Sequence, residues 1–126
     1  MSDWSLIASY LRQAVDAAER ARLKFGNVPD ADAFYATEIG RDALDVICMQ
    51  LLAVGETMKV IDRMTGCAWV ATYEGVDWKG VMGIRDVIAH RYFDIDADEL
   101  FGVCSERLGG LINALRSMID DAERRT

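Results

Sequence analysis

Proline is nearly absent from this chain: Pro29 is the only one among 126 residues. Little therefore stops long helices from forming, because no other residue removes a backbone N–H or locks φ. Cysteine is sparse, and Cys48, Cys67 and Cys104 make an odd count with no C-x-x-C spacing. That arithmetic argues against disulfide frameworks and metal knuckles and predicts reduced thiols in a cytosol. No apolar run approaches the roughly 20 residues that a membrane span needs. Met1-Ser2-Asp3-Trp4 has neither the basic nor the apolar region of a signal peptide, so a cytoplasmic protein with no membrane contact is expected. Positive charge is also in deficit, with 14 Lys and Arg against 21 Asp and Glu, a net charge of −7. Such a surface repels phosphate backbones at long range, which disfavours a general nucleic-acid coating protein. Any RNA contact has to come from a local basic cluster. Histidine occurs once, at His90, and neither a metal cluster nor a cofactor motif is visible.

What is present is apolar residue, 52% of the chain, with 28% charged residues interspersed rather than blocked. This is the composition of a globular protein with a full core, and the length fits one domain over residues 1–126. Four helices follow from the 3.6-residue periodicity. The first covers about 3–24, with Trp4, Ile7, Leu11, Ala14, Val15 and Ala18 on one stripe; Ser2 or Asp3 starts it, and Gly26-Asn27 supplies the usual C-terminal chemistry. The second runs from near Asp30 or Asp32 to Met64, with a bend expected near Gly40 or Gly55. Residues 65–77 form an aromatic-rich connection with room for one helical turn. Asp77 caps a third helix reaching about Tyr92, and Asp96 with Glu99 resembles a capping box opening the fourth. Period-two alternation is absent. The prediction is an all-α, up-down antiparallel four-helix bundle, with an extra short helix allowed.

Chemistry concentrates in residues 78–93, where the single histidine lies beside Arg85, Asp86, Arg91 and Tyr92. Asp86 and His90, four apart, share a helix face, an arrangement that lets a carboxylate hold the imidazole. Arg85 and Tyr92, seven apart, share another. Arg85 and His90, five apart, point about 140° away from each other on an ideal helix. One straight helix cannot aim both at one atom, so either the helix ends near His90 or a second chain completes the site. Plainer roles remain for each residue: His90 as a cation on a helix C-terminal dipole, Arg85 as a surface ion-pair partner, Tyr92 as an interface aromatic. Glu56 is either inward beside the motif or solvated. Trp78 reads as a packing anchor, Gly83 as a point of close approach across a dimer seam.

Arg85, His90 and Tyr92 together spell Arg-x4-His-x-Tyr, and in this the chain resembles the HepT family of the HEPN superfamily. Trp78 and Gly83 before the arginine agree, as does Leu52-Ala53-Val54-Gly55-Glu56, and the resemblance spans about 42–119. It implies a HEPN-like bundle and a metal-independent ribonuclease working as a homodimer, with Arg85 and His90 catalytic. Asp86 and Glu56 would support them. It further implies an MntA-like nucleotidyltransferase antitoxin that transfers AMP to Tyr92. Asp86 departs from the family, many of whose nucleases have Asn after the arginine; the carboxylate strengthens a hold on His90 but adds negative charge where phosphate would sit. A rival reading is a non-catalytic helical module that binds nucleotide or substrate for a separately encoded nucleotidyltransferase.

Overall fold

In a computed structural model, residues 2–126 are described and are helical almost throughout. The first helix, α1 (Trp4–Phe25), starts where the Asp3 carboxylate accepts from the Leu6 N–H at 3.1 Å. Its buried stripe is Ile7, Ala8, Leu11, Ala14, Ala18 and Ala21. The end departs from the expected chemistry: Gly26 stays right-handed (φ −58°) and returns its N–H to Arg22 O. The chain tightens through Asn27 N–H to Lys24 O and Val28 N–H to Phe25 O before Pro29, which has no N–H to continue the helix.

The second helix is not continuous. A single turn, α2 (Ala33–Ala36), is cut from α3 (Glu38–Met64) at Thr37, which is extended (φ −126°, ψ 154°). The Thr37 hydroxyl accepts from Gly40 N–H at 2.9 Å and donates to Ala33 O at 3.1 Å, so one side chain ends one helix and caps the next. Gly40 lies beside the break because a Cβ there would stand 1.7 Å from Ala33 O. The connection 65–77 turns through Gly66 and Cys67, both at positive φ, and holds one 3₁₀ turn (Val70–Thr72). Trp69 and Val70 fold back into the core.

The next helix, α4 (Trp78–Arg91), is capped by Asp77, whose carboxylate accepts from Gly80 N–H at 3.0 Å. Trp78 is buried and donates its indole N–H to Tyr73 O at 2.8 Å, the anchoring role expected of it. Asp96 caps the last limb through Glu99 N–H at 3.0 Å. That limb is α5 (Ala97–Gly102), a π turn (Val103–Arg107) and α6 (Leu108–Arg124). Its apolar positions Leu100, Cys104, Leu108 and Ile112 step by four, and each step overshoots a 3.6-residue turn by about 40°. One wide turn absorbs the drift and keeps all four buried.

Each tied pair of helices is antiparallel. Ser2 Oγ at the start of α1 donates to Met64 O at the end of α3. Arg12–Glu123 and Glu19–Arg116 bridge α1 to α6 in opposite senses. Around α1, α3 and α6 lies an apolar core holding Phe34, Ile47, Met58, Ile61, Ile112, Leu115 and Met118, with no buried charged residue among those described. The fold is the all-α bundle predicted. Among the described residues, no helix is long and apolar enough to cross a membrane.

Candidate functional site

The register of α4 on α3 is set by Gly55. A Cβ there would meet Val81 O at 2.5 Å and Ile84 Cγ2 at 3.0 Å, so two backbones touch where no side chain fits. Of the two glycines offered for a bend, Gly40 lies beside the break at Thr37, and Gly55 is a packing contact within a continuous α3. From that point the helices run apart in sequence and together in space, so Arg85 lies against Glu56 and Tyr92 returns to Asp45.

Arg85 Nε stands 3.7 Å from Glu56 Oε1, and Lys59 Nζ approaches the same oxygen at 3.7 Å. That oxygen is out of solvent and has no hydrogen-bond partner among the described residues, although the rest of the side chain is partly exposed. Glu56 is thus inward, beside the motif. The Arg85 side chain remains 56% exposed.

His90 is exposed in the last turn of α4, where it and Arg91 lie at the negative end of the helix dipole. Asp86 is exposed too, and no hydrogen bond or ion pair among the described residues joins it to His90. The carboxylate expected to hold the imidazole shares its face without gripping it. Arg91 breaks the helix (φ −130°, ψ 18°) one residue after His90. Arg85 and His90 therefore both lie in regular helix and diverge as the spacing predicted. His90 shares its face with Gly83, where an added Cβ would meet nothing within 4 Å. Within one chain, the arginine and the histidine do not converge.

After Arg91 the chain enters a 3₁₀ turn (Tyr92–Asp94) that carries the Tyr92 side chain back over α3. Its hydroxyl donates to Asp45 Oδ1. This hydrogen bond, with some desolvation, raises the phenol above its ordinary pKa and keeps it protonated at neutral pH. Tyr92 is 40% exposed and Phe93, stacked edge-on against it, is 94% exposed. Neither Asp45 nor Lys59 is singled out by the sequence. Only the α3–α4 register brings them to the motif.

Between α4 and the α5–α6 limb runs an open groove of about 680 Å³, with Leu51, Ile84 and Val103 in its floor and Asp94, Glu99 and Glu106 on its rim. Cys48 lines it, and burial pushes the Cys48 thiol up to about 11 and the Cys104 thiol to about 12. Both are inert thiols at neutral pH, while Cys67 is exposed. Among the described residues no group of three or more His, Cys, Asp or Glu side chains is placed to hold a metal ion.

A family model described as "Ribonuclease HepT-like" matches residues 10–118, a span that includes α3, α4 and the whole Arg85–Tyr92 segment. No curated protein and no solved structure matches the chain.

Proposed function

We propose, from the premise that this chain belongs to the HepT-like ribonuclease family, that it is the toxin half of a HepT/MntA-type toxin–antitoxin pair. In this reading it is a cytoplasmic, metal-independent endoribonuclease, one domain per chain, acting as a homodimer. The observation that carries it is the disposition of the motif on α4. Arg85 has its Nε against Glu56 while its side chain stays 56% exposed, and His90 lies exposed on the face it shares with Gly83.

Cleaving RNA through its 2′-hydroxyl requires a base, an acid and a cation at the developing phosphorane charge. Each chain brings one histidine, so a two-fold axis along the His90–Gly83 face supplies both proton roles. Glu56 orients Arg85 by charge, and the terminal N–H groups of Arg85 bind the non-bridging oxygens bidentately. Asp86 supports the site as a carboxylate on the same helix face as the imidazole. An MntA-like nucleotidyltransferase neutralises the toxin by transferring AMP to Tyr92, whose exposed side chain follows the motif helix directly. The adenylate adds bulk and phosphate charge two residues from His90, which excludes the RNA backbone.

The test is expression of wild-type and His90→Ala protein in a bacterial host, with RNA integrity followed alongside growth. His90→Ala removes the imidazole from both chains and with it both proton-transfer roles, each worth about 10²–10⁴ in rate, so only wild type should arrest growth and fragment RNA. Arrest by a folded His90→Ala protein would remove the histidine from the chemistry. A second reading, a non-catalytic helical partner that binds substrate for a nucleotidyltransferase, is favoured by the apolar floor of the groove beside α4 and by the net charge of −7. No effect from either form, with soluble dimer present, would select it.

A further inference from the structure

We propose that Asp45 is the general base for modification of Tyr92: its carboxylate takes the phenolic proton while the hydroxyl oxygen attacks the α-phosphorus of ATP. The inference rests on the reading of Tyr92 as the acceptor and adds to it a residue from a different helix of the same chain. A protein that presents a tyrosine for adenylylation has to dispose of a proton. Here the hydroxyl already donates to Asp45 Oδ1, so the acceptor is aligned before any nucleotide arrives. Both residues are exposed, and the hydroxyl is accessible from outside the fold.

The surroundings assign no other group to that task. Arg41, one turn before Asp45 on α3, is a cation and accepts nothing; Cys48, one turn after, is buried and keeps its own proton. Tyr35 from α2 has committed its hydroxyl to Ile95 O at 2.7 Å. His90 is exposed on α4 and makes no described hydrogen bond to Tyr92. The resting hydrogen bond also holds the phenol in its protonated form. Tyr92 is then a poor nucleophile until the α-phosphorus of ATP comes within reach of its oxygen and Asp45 accepts the proton as that bond forms.

The Tyr92 O–H bond breaks and its proton passes to Asp45 Oδ1. A bond forms from Tyr92 Oη to the α-phosphorus, and the bond from that phosphorus to the bridging oxygen breaks, with pyrophosphate leaving on the electron pair. The product is an adenylyl-tyrosine phosphodiester with one negative charge. Asp45, now neutral, can donate to it instead of repelling it, and later loses the proton to water.

The measurement is the initial rate of labelled AMP incorporation from ATP and magnesium by the MntA-like nucleotidyltransferase, from pH 6.5 to 9.5, with the labelled residue mapped by mass spectrometry. Asp45→Asn keeps an oxygen facing the hydroxyl but cannot take its proton. It should slow labelling by about 10²-fold at pH 7, and its rate should climb about tenfold per pH unit as the phenol ionises unaided. Asp45→Glu should recover most of the rate, and Asp45→Ala should be partly rescued by added formate. Labelling of Tyr92 at the wild-type rate in Asp45→Asn, or a slowing that is equal at every pH and unmoved by formate, overturns the base and leaves the acceptor standing. Undiminished labelling of Tyr92→Phe, or none of wild type, overturns the acceptor and the base with it.

Discussion

Glu56 Oε1 is a buried oxygen without a hydrogen bond, held between Arg85 Nε and Lys59 Nζ at 3.7 Å each. Pairs this exposed contribute about 0–1 kcal/mol to folding, so stability does not explain the arrangement. In the proposed ribonuclease, orientation of Arg85 would. In Glu56→Gln the melting temperature should barely move, while RNA cleavage by the purified dimer should fall about ten- to hundredfold through loss of positioning. Turnover equal to wild type would take Glu56 out of the site. At this scale the sequence is informative about which residue types are present and silent about what each touches. It named Arg85, Asp86, His90, Tyr92 and Glu56. It did not pair Arg85 with Glu56 or Tyr92 with Asp45, because those contacts cross between helices. Asp86 and His90 illustrate the converse: their spacing allows a contact that the described side chains do not make.

Helices obey the caps more closely than the periodicity. Asp3, Asp77 and Asp96 start α1, α4 and α5 where a short carboxylate meets the first free N–H groups, and all three are legible in the chain. Thr37 was hidden because Asp30 and Asp32, equally good caps, precede it and helical spacing continues past it. Deciding among them required the Ala33 carbonyl to lie against Gly40. The π turn at Val103–Arg107 was unreadable for a similar reason: a run of four-residue steps fits a drifting helix as well as a bulged one. Between α3 and α4 the critical element is Gly55. Gly55→Ala should destabilise the protein by about 1–3 kcal/mol, since backbone must move off Val81 O. Gly109→Ala, which meets nothing within 4 Å, should be neutral or gain up to about 1 kcal/mol from helix propensity. Urea unfolding of the two variants decides between a packing role and mere propensity; similar midpoints would mean that α4 does not lie tightly on α3.

For the whole molecule, α4 is the exposed helix of the bundle. It leans on α3, faces an open groove on one side, and carries Val87 and His90 into solvent, with Phe93 exposed in the turn that follows. An apolar, histidine-bearing face without a neighbour is what a two-fold partner would cover. Gly83→Ala tests this. In an isolated chain the methyl meets nothing, and the helix should gain about 1 kcal/mol. Across a seam where backbones approach, the same methyl should raise the dimer dissociation constant at least about tenfold, a cost near 1.4 kcal/mol. Sedimentation equilibrium reads the second effect, and thermal melting of dilute protein the first. A dimer of unchanged affinity would move the seam away from Gly83.

The sequence by itself determined the class of fold and the residues of the motif. Apolar periodicity, aspartate caps and the scarcity of proline are local properties, and Arg-x4-His-x-Tyr lies within eight consecutive residues of one helix and its following turn. Only the tertiary structure decided the break at Thr37, the wide turn before Leu108, the close backbone contact at Gly55, and the partners Glu56–Arg85 and Asp45–Tyr92. Each of these depends on the register of one helix against another. Register is fixed by shape and volume across an interface, and a linear spacing of residues does not contain it.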